Sequence, residues 1–290
     1  MKRRLLLSFL TFGVVFFQSC KKENTTVLVP KLLFKSGFEG DVYIDQTIDK
    51  NSQDFRFIRG TDSETSFTWP IQFYDSKESG LHYVFDDNHQ AVFSELQTVI
   101  GHDGTPTKAL YSQENYAKGY TQNPYEINNL KDNGRKDMYI KYWMKLDSAS
   151  LTQKDKWRAL FEYKTVGYEI AANKGTGFRL IAYVYTDVDG NPYWHFQGDK
   201  NPNHPLWEVD NFDIPVPKNE WFLTEYYWHW GDKKEGRAWW KINGQVVADV
   251  QGATTRNKKP IDFIILSQIY GDANPKHQWV DDIEIWEGEP

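Results

Sequence analysis

The sequence predicts an all-β protein, an antiparallel β-sandwich, on three observations. From Leu32 onward, short segments of alternating apolar and polar residues are separated by turn signals. No long helical periodicity and no internal repeat interrupts this pattern. Aromatic residues make up 16% of the chain, including 12 Trp and 17 Tyr, enough to fill a sandwich core and leave rings for its surfaces.

The expected strands, in chain order, are Leu33–Phe38, Phe67–Tyr74, Ala109–Ser112, Asp137–Leu146, Trp157–Lys164, Phe178–Thr186, Tyr193–Gln197, Trp221–Trp230, the hairpin Arg237–Val250, Asp262–Tyr270 and Gln278–Trp286. The hairpin is the clearest. Asn243-Gly244 lies between two β-prone runs, and both residues tolerate the positive φ that a two-residue turn requires. Asp187-Val188-Asp189-Gly190-Asn191 has the start of a calcium loop, but its twelfth position is Gly198 instead of a bidentate Glu, so it reads as a hairpin turn. The polar stretch Gln113–Arg135 is expected to be a long loop framing a binding site.

The N-terminus reads as an export signal. Lys2, Arg3 and Arg4 precede the apolar run Leu5–Phe17, which is too short to span a bilayer comfortably. Gln18-Ser19-Cys20 then resembles the lipobox of bacterial lipoproteins, which implies cleavage after residue 19 and acylation of Cys20. Cys20 is the single cysteine, so no intramolecular disulfide competes for it. The expected organisation is a signal peptide over 1–19, a tether over 20–31 and one domain over 32–290, held to a membrane by lipid in the periplasm or at the cell surface. Removing 1–19 takes away three basic side chains and no acidic ones, so the formal charge of −6 becomes −9. That balance argues against nucleic acid as a partner.

Three segments carry a family resemblance: Phe34-Lys35-Ser36-Gly37-Phe38-Glu39, Ala238-Trp239-Trp240-Lys241-Ile242-Asn243-Gly244, and the closing run Gln278–Trp286. In this order they resemble the concanavalin A-like jelly roll, and within it the bacterial polysaccharide lyases of the alginate and glucuronan lyase type. The resemblance covers residues 32–290 and implies a polysaccharide or oligosaccharide ligand, no catalytic cofactor and a structural calcium. The calcium would join the chain ends through Glu39 and Asp282, with Asp281 and a carbonyl near Gly40.

Strand alternation sorts the polar side chains into faces. One face of Trp157–Lys164 is expected to carry Arg158, Glu162 and Lys164, opposite Trp157, Ala159, Phe161 and Tyr163. Arg179, Ile181, Tyr183 and Tyr185 share a face, as do Tyr193, His195 and Gln197. So do Glu225, Tyr227 and His229; Arg237, Trp239 and Lys241; and Gln268 and Tyr270. Gathered on one concave sheet, these residues would line a groove suited to glycans: rings for stacking, amides for hydroxyls, cations for carboxylates. A lyase must also neutralise a uronate carboxylate and move protons. Arg179, Gln197 and Gln268 are the candidates for the first task, and His195, His229, Tyr227, Tyr183 and Tyr270 for the second. Ser267-Gln268-Ile269-Tyr270 is similar to the Gln-Ile-His element of alginate lyases, with Tyr in the last place. The expected function is therefore a lipid-anchored polysaccharide lyase or, alternatively, a glycan-binding surface lipoprotein. Glycoside hydrolysis would need paired carboxyls, for which Glu162 and Glu225 are the only acids on the expected face.

Overall fold

A computed structural model describes residues 29–45, 55–71, 81–82, 92–114, 122–127, 136–168, 175–201 and 204–290. The signal segment, Cys20 and most of the tether lie outside them. The strands are β1 (Lys31–Ser36), β2 (Tyr43–Ile44), β3 (Phe55–Arg56), β4 (Ile58–Thr61), β5 (Thr68–Trp69), β6 (Leu81–His82), β7 (Val92–Ile100), β8 (Pro106–Glu114), β9 (Gln122–Ile127) and β10 (Asp137–Leu146). They continue with β11 (Lys156–Thr165), β12 (Arg179–Thr186), β13 (Pro192–Asp199), β14 (Pro205–Asn211), β15 (Trp221–His229), β16 (Arg237–Ile242), β17 (Gln245–Gln251), β18 (Ile261–Gly271) and β19 (Lys276–Glu287). Among the described residues the one helical element is a 3-10 turn at Ser150–Thr152.

Two large sheets form the jelly-roll sandwich. The first runs β17-β16-β15-β10-β19-β8-β7, and β1 also pairs with β19. The second runs β14-β13-β12-β11-β18-β9. All ladders are antiparallel. The chain crosses between the sheets after β8, β9, β10, β14, β17 and β18, which interleaves early and late segments. The Asn243-Gly244 turn forms as expected, with φ of 49° and 75°. The segment expected to be a loop over 113–135 instead contributes the end of β8 and all of β9.

The inner faces meet in one aromatic core. Phe161 stacks on Tyr226 at 4.1 Å, and Trp194 meets Trp240 edge-on at 5.1 Å. Trp194, Trp228 and Trp240 are fully buried. Alternation explains this: Phe178, Leu180, Ala182 and Val184 point in from β12, while Tyr226 and Trp228 point in from β15.

One strand breaks its alternation. A bulge between Ala159 and Phe161 in β11 turns the side chains before it over to the other face. Arg158 therefore does not share the outer face of Glu162 and Lys164. It lies buried between the sheets, donating to Asp147, Ser150 and Gln278 at 3.2, 2.8 and 2.7 Å. Burial lowers its guanidinium to about 10, against the opposing pull of Asp147. Trp157 and Ala159 face outward in its place, packed with Ile181, Tyr183, Tyr185 and Tyr270.

Candidate functional site

The outer face of the second sheet gathers Glu162 and Lys164 from β11, Arg179, Tyr183 and Tyr185 from β12, His195 and Gln197 from β13, and Gln268 and Tyr270 from β18. Register sets their contacts, because directly opposed side chains lie close enough to pair. Arg179 opposes Asp199 across β12 and β13, and His195 opposes Asp210 across β13 and β14. Arg179 donates through Nε and Nη2 to Asp199 Oδ2 at 3.1 and 2.7 Å, and through Nη1 to Glu162 Oε2 at 3.4 Å. Glu162 also pairs with Lys164. Asp199 further accepts from Tyr168 Oη at 2.9 Å and Gln197 Nε2 at 2.6 Å. Gln197 Oε1 meets His195 Nε2 at 3.0 Å, and His195 Nδ1 meets Asp210 Oδ1 at 2.6 Å. The result is a continuous strip, Lys164-Glu162-Arg179-Asp199-Gln197-His195-Asp210, crossing four strands.

This strip is closed on itself. Glu162, Arg179 and Asp199 are each no more than 1% exposed, and each of them, with Lys164, has a partner of opposite sign. Burial works against the Arg179 guanidinium, but the charges of Glu162 and Asp199 help hold it well above its usual range. Burial raises Tyr183, and pushes Tyr185 up to about 12. Both therefore stay neutral phenols near neutral pH, able to donate hydrogen bonds but poorly placed to accept a proton as bases. Arg179 could neutralise a uronate only by leaving Asp199 without a counter-charge, which is costly in a buried place.

Beside the strip runs a half-exposed row of rings. Tyr270 meets Trp157 edge-on at 4.8 Å, Trp157 lies over Tyr185 at 6.4 Å, Tyr185 over Tyr193 at 5.9 Å, and Tyr193 over Phe212 at 4.4 Å. Phe212, just past β14, is 68% exposed. Four strand spacings make the row roughly 19 Å long. Gln268 shares this face, and its buried Oε1 has no hydrogen-bond partner among the described residues.

The remaining expected site residues lie on the opposite side of the sandwich, on the outer face of the first sheet. Glu225 accepts from Tyr139 Oη at 2.7 Å, and Arg237 forms a two-pronged pair with Asp249 at 2.9 and 2.7 Å. Lys241 Nζ sits 4.0 Å over the Trp239 ring. Tyr227 Oη and His229 Nδ1 both reach Asp137 Oδ1, at 3.0 and 2.7 Å. The expectation that all the polar faces share one groove is thus corrected: strand alternation fixes a face but not a sheet. Glu162 and Glu225, on opposite sheets, cannot flank one glycosidic bond.

The three acids expected to hold calcium do come together, where β19 exchanges β8 for β1 as its neighbour. Glu39, Asp281 and Asp282 line one cleft with Glu64, His102 and Asp103. Thr107 Oγ1 bridges Glu39 and Asp281 at 3.0 and 2.9 Å, while Asp282 Oδ2 meets His102 at 3.0 Å. The Gly40 carbonyl accepts from the Lys108 ammonium at 2.8 Å. Among the described residues, no group of three His, Cys, Asp or Glu side chains is placed to hold one ion.

Several residues of the strip lay outside the sequence reading. Asp199 continues the alternation of His195 and Gln197 and could have been found by extending β13 by two residues. Tyr168 and Asp210 carry no such signal, since their places depend on a turn and on a strand that the pattern does not show.

No protein-family model matches the chain, and no curated protein matches it. Among solved structures, it is similar to alginate lyase Aly36B, at 13% identity over 68% of this chain and 84% of that one, with a TM-score of 0.43. It is also similar to an endo-β-1,4-glucuronan lyase from the fungus Trichoderma reesei, at 12% identity over 66% and 86% with a TM-score of 0.46. A third is the cellulose-induced protein Cip1, at 14% identity over 87% and 96% with a TM-score of 0.43.

Proposed function

We propose that this chain is a lipid-anchored surface protein that holds an extended, uronate-containing polysaccharide on the outer face of the second sheet. The observation that carries this reading is the row Tyr270-Trp157-Tyr185-Tyr193-Phe212, whose half-exposed rings cross the strands beside a closed polar strip. Ring faces pack on the C–H surfaces of sugars. Acylation of Cys20 would place this face near the membrane, where polymers too large for import are met.

β-Elimination of the bound glycan is the second reading. It is favoured by one feature: His195 lies between Tyr183 and Tyr185, at ring distances of 5.6 and 5.0 Å, so an imidazole and two phenols share one patch. For turnover, a substrate would have to open the His195–Gln197 contact so that Nε2 could take the C5 proton. Incubating the purified protein with alginate, glucuronan and other uronate polymers tests both readings. Retarded migration in glycan-containing gels with no rise in ultraviolet absorbance supports holding. A rise in absorbance from the unsaturated product establishes elimination. Neither effect on any polymer would overturn both.

A further inference from the structure

The first sheet ends in an open cleft of about 580 Å³, lined by Lys136, His229, Trp230, Asp232, Lys233, Glu235 and Lys258. Its geometry contrasts with the strip on the other face. Asp137 can only accept, so His229 Nδ1 donates to it, and the ring is fixed with Nε2 turned away. Nε2 has no partner among the described residues. None of Lys136, Lys233 and Lys258 has an ion-pair partner there either, although Asp137, Arg237 and Asp249 close by are all paired. The Lys136 ammonium lies 5.6 Å from the centre of the Trp230 ring.

The wall is held in place from behind. Thr254, fully buried, donates through Oγ1 to the His229 carbonyl at 2.7 Å and accepts from the Gly231 amide at 2.9 Å. Trp230 Nε1 donates to the Lys259 carbonyl at 3.2 Å. An oriented imidazole, an indole face and three lysines set against two acids, Asp232 and Glu235, thus share one prebuilt recess.

We infer that this cleft is a second glycan site, independent of the aromatic row, that binds a pyranose bearing an anionic group. The indole offers a stacking surface, the lysines offer charge for a carboxylate or sulfate, and His229 Nε2 offers a directional partner for a ring hydroxyl. Its size fits one or two sugar units. A polymer could then be gripped on both sides of the domain, or two chains brought together by one protein.

The test is an NMR titration of the purified protein, with labelled His and Trp side chains, using glucuronate, glucose 6-sulfate and glucose as probes. Saturable shifts of the His229 and Trp230 signals with the two anionic sugars, and none with glucose, are expected. Equal responses to both anions would assign recognition to charge alone, and a preference for glucuronate would narrow it to a carboxylate. The double variant K136Q/K258Q should weaken binding by about fivefold or more. Added sodium chloride should weaken wild-type binding as well. W157A should leave these shifts unchanged, which separates this site from the aromatic row. An equal response to glucose, wild-type affinity in the double variant, or no saturable shift with either anion would overturn the inference.

Discussion

The two outer faces of the sandwich each carry an Asp–His pair, and the pairs differ in what is left over. His195 is held at both nitrogens, by Asp210 and by Gln197, and sits at the end of a chain of buried ion pairs. His229 is held at one nitrogen only, and its side chain is 42% exposed. Two histidines that look alike in sequence, each on an alternating aromatic strand, thus play different parts. One closes a network that stitches four strands together, and the other presents a free nitrogen to an open cleft. The neighbourhood decides. Asp210 opposes His195 from β14 and Gln197 follows two residues along its own strand, whereas His229 is opposed by Asp137 on one side and on the other by Arg237, a donor already paired with Asp249.

The same contrast holds for the arginines and gives the largest expected effect. Arg179→Met strands Asp199 without a counter-charge in a dry place, leaves Glu162 with Lys164 alone, and should cost about 3–5 kcal/mol in urea unfolding. Arg237→Met breaks an exposed pair with Asp249 and should cost less than about 1 kcal/mol. Similar losses would mean that the strip is not closed as described.

The acid cluster at the β19 seam has no such compensation. Burial, with Asp282 and Glu39 beside it, pushes the Asp281 carboxyl up to about 7. Between the unfolded value near 4 and that value, the folded state binds more protons than the unfolded one, so this group's contribution falls as pH rises from 4 to 7. In D281N the new amide can donate to Thr107 Oγ1 while still accepting from the Asp282 amide. The variant should therefore be more stable than wild type at pH 8, by roughly 2–4 kcal/mol, with the gain gone by pH 4. Urea unfolding across that range checks it, and a loss at pH 8 would break the account. Calcium that stabilises wild type but not D281N would show that these carboxylates can rearrange around an ion.

Comparing the histidines themselves gives a smaller effect. H195A leaves the buried Gln197 carbonyl without its donor and should cost about 1–3 kcal/mol. H229A should change stability by no more than about 0.5 kcal/mol. Thermal unfolding distinguishes them, and the reverse order would exchange their roles.

Much of the fold was legible because alternation is a local signal. It assigned the faces of β12, β13, β15 and β16 correctly, and Asn243-Gly244 located a turn on its own. The three long strands that the sequence did not reveal, β7, β9 and β14, all lie at sheet edges. An edge strand packs against less, so its apolar face is short and shallow: in β14 only Trp207 and Val209 turn toward the core, and none of the strand's residues is buried. The site was less legible for two further reasons. The β11 bulge moved Arg158 inside and Trp157 out, and no residue type announces it. Sheet membership depends on crossovers, so the faces of β15 and β16 could be drawn but not placed. By alternation Trp157, now central to the proposed glycan row, belongs with Phe161 and Tyr163, and the bulge alone turns it outward.

The central claim rests on that row. In gels containing alginate or glucuronan, wild-type protein should migrate more slowly than in plain gels, and W157A/Y193A should lose most of that retardation. Each ring contributes on the order of 1 kcal/mol, so the double variant should bind about tenfold or more weakly. Retardation of the double variant equal to that of wild type, with its fold intact by circular dichroism, would contradict the placement of the glycan on the second sheet.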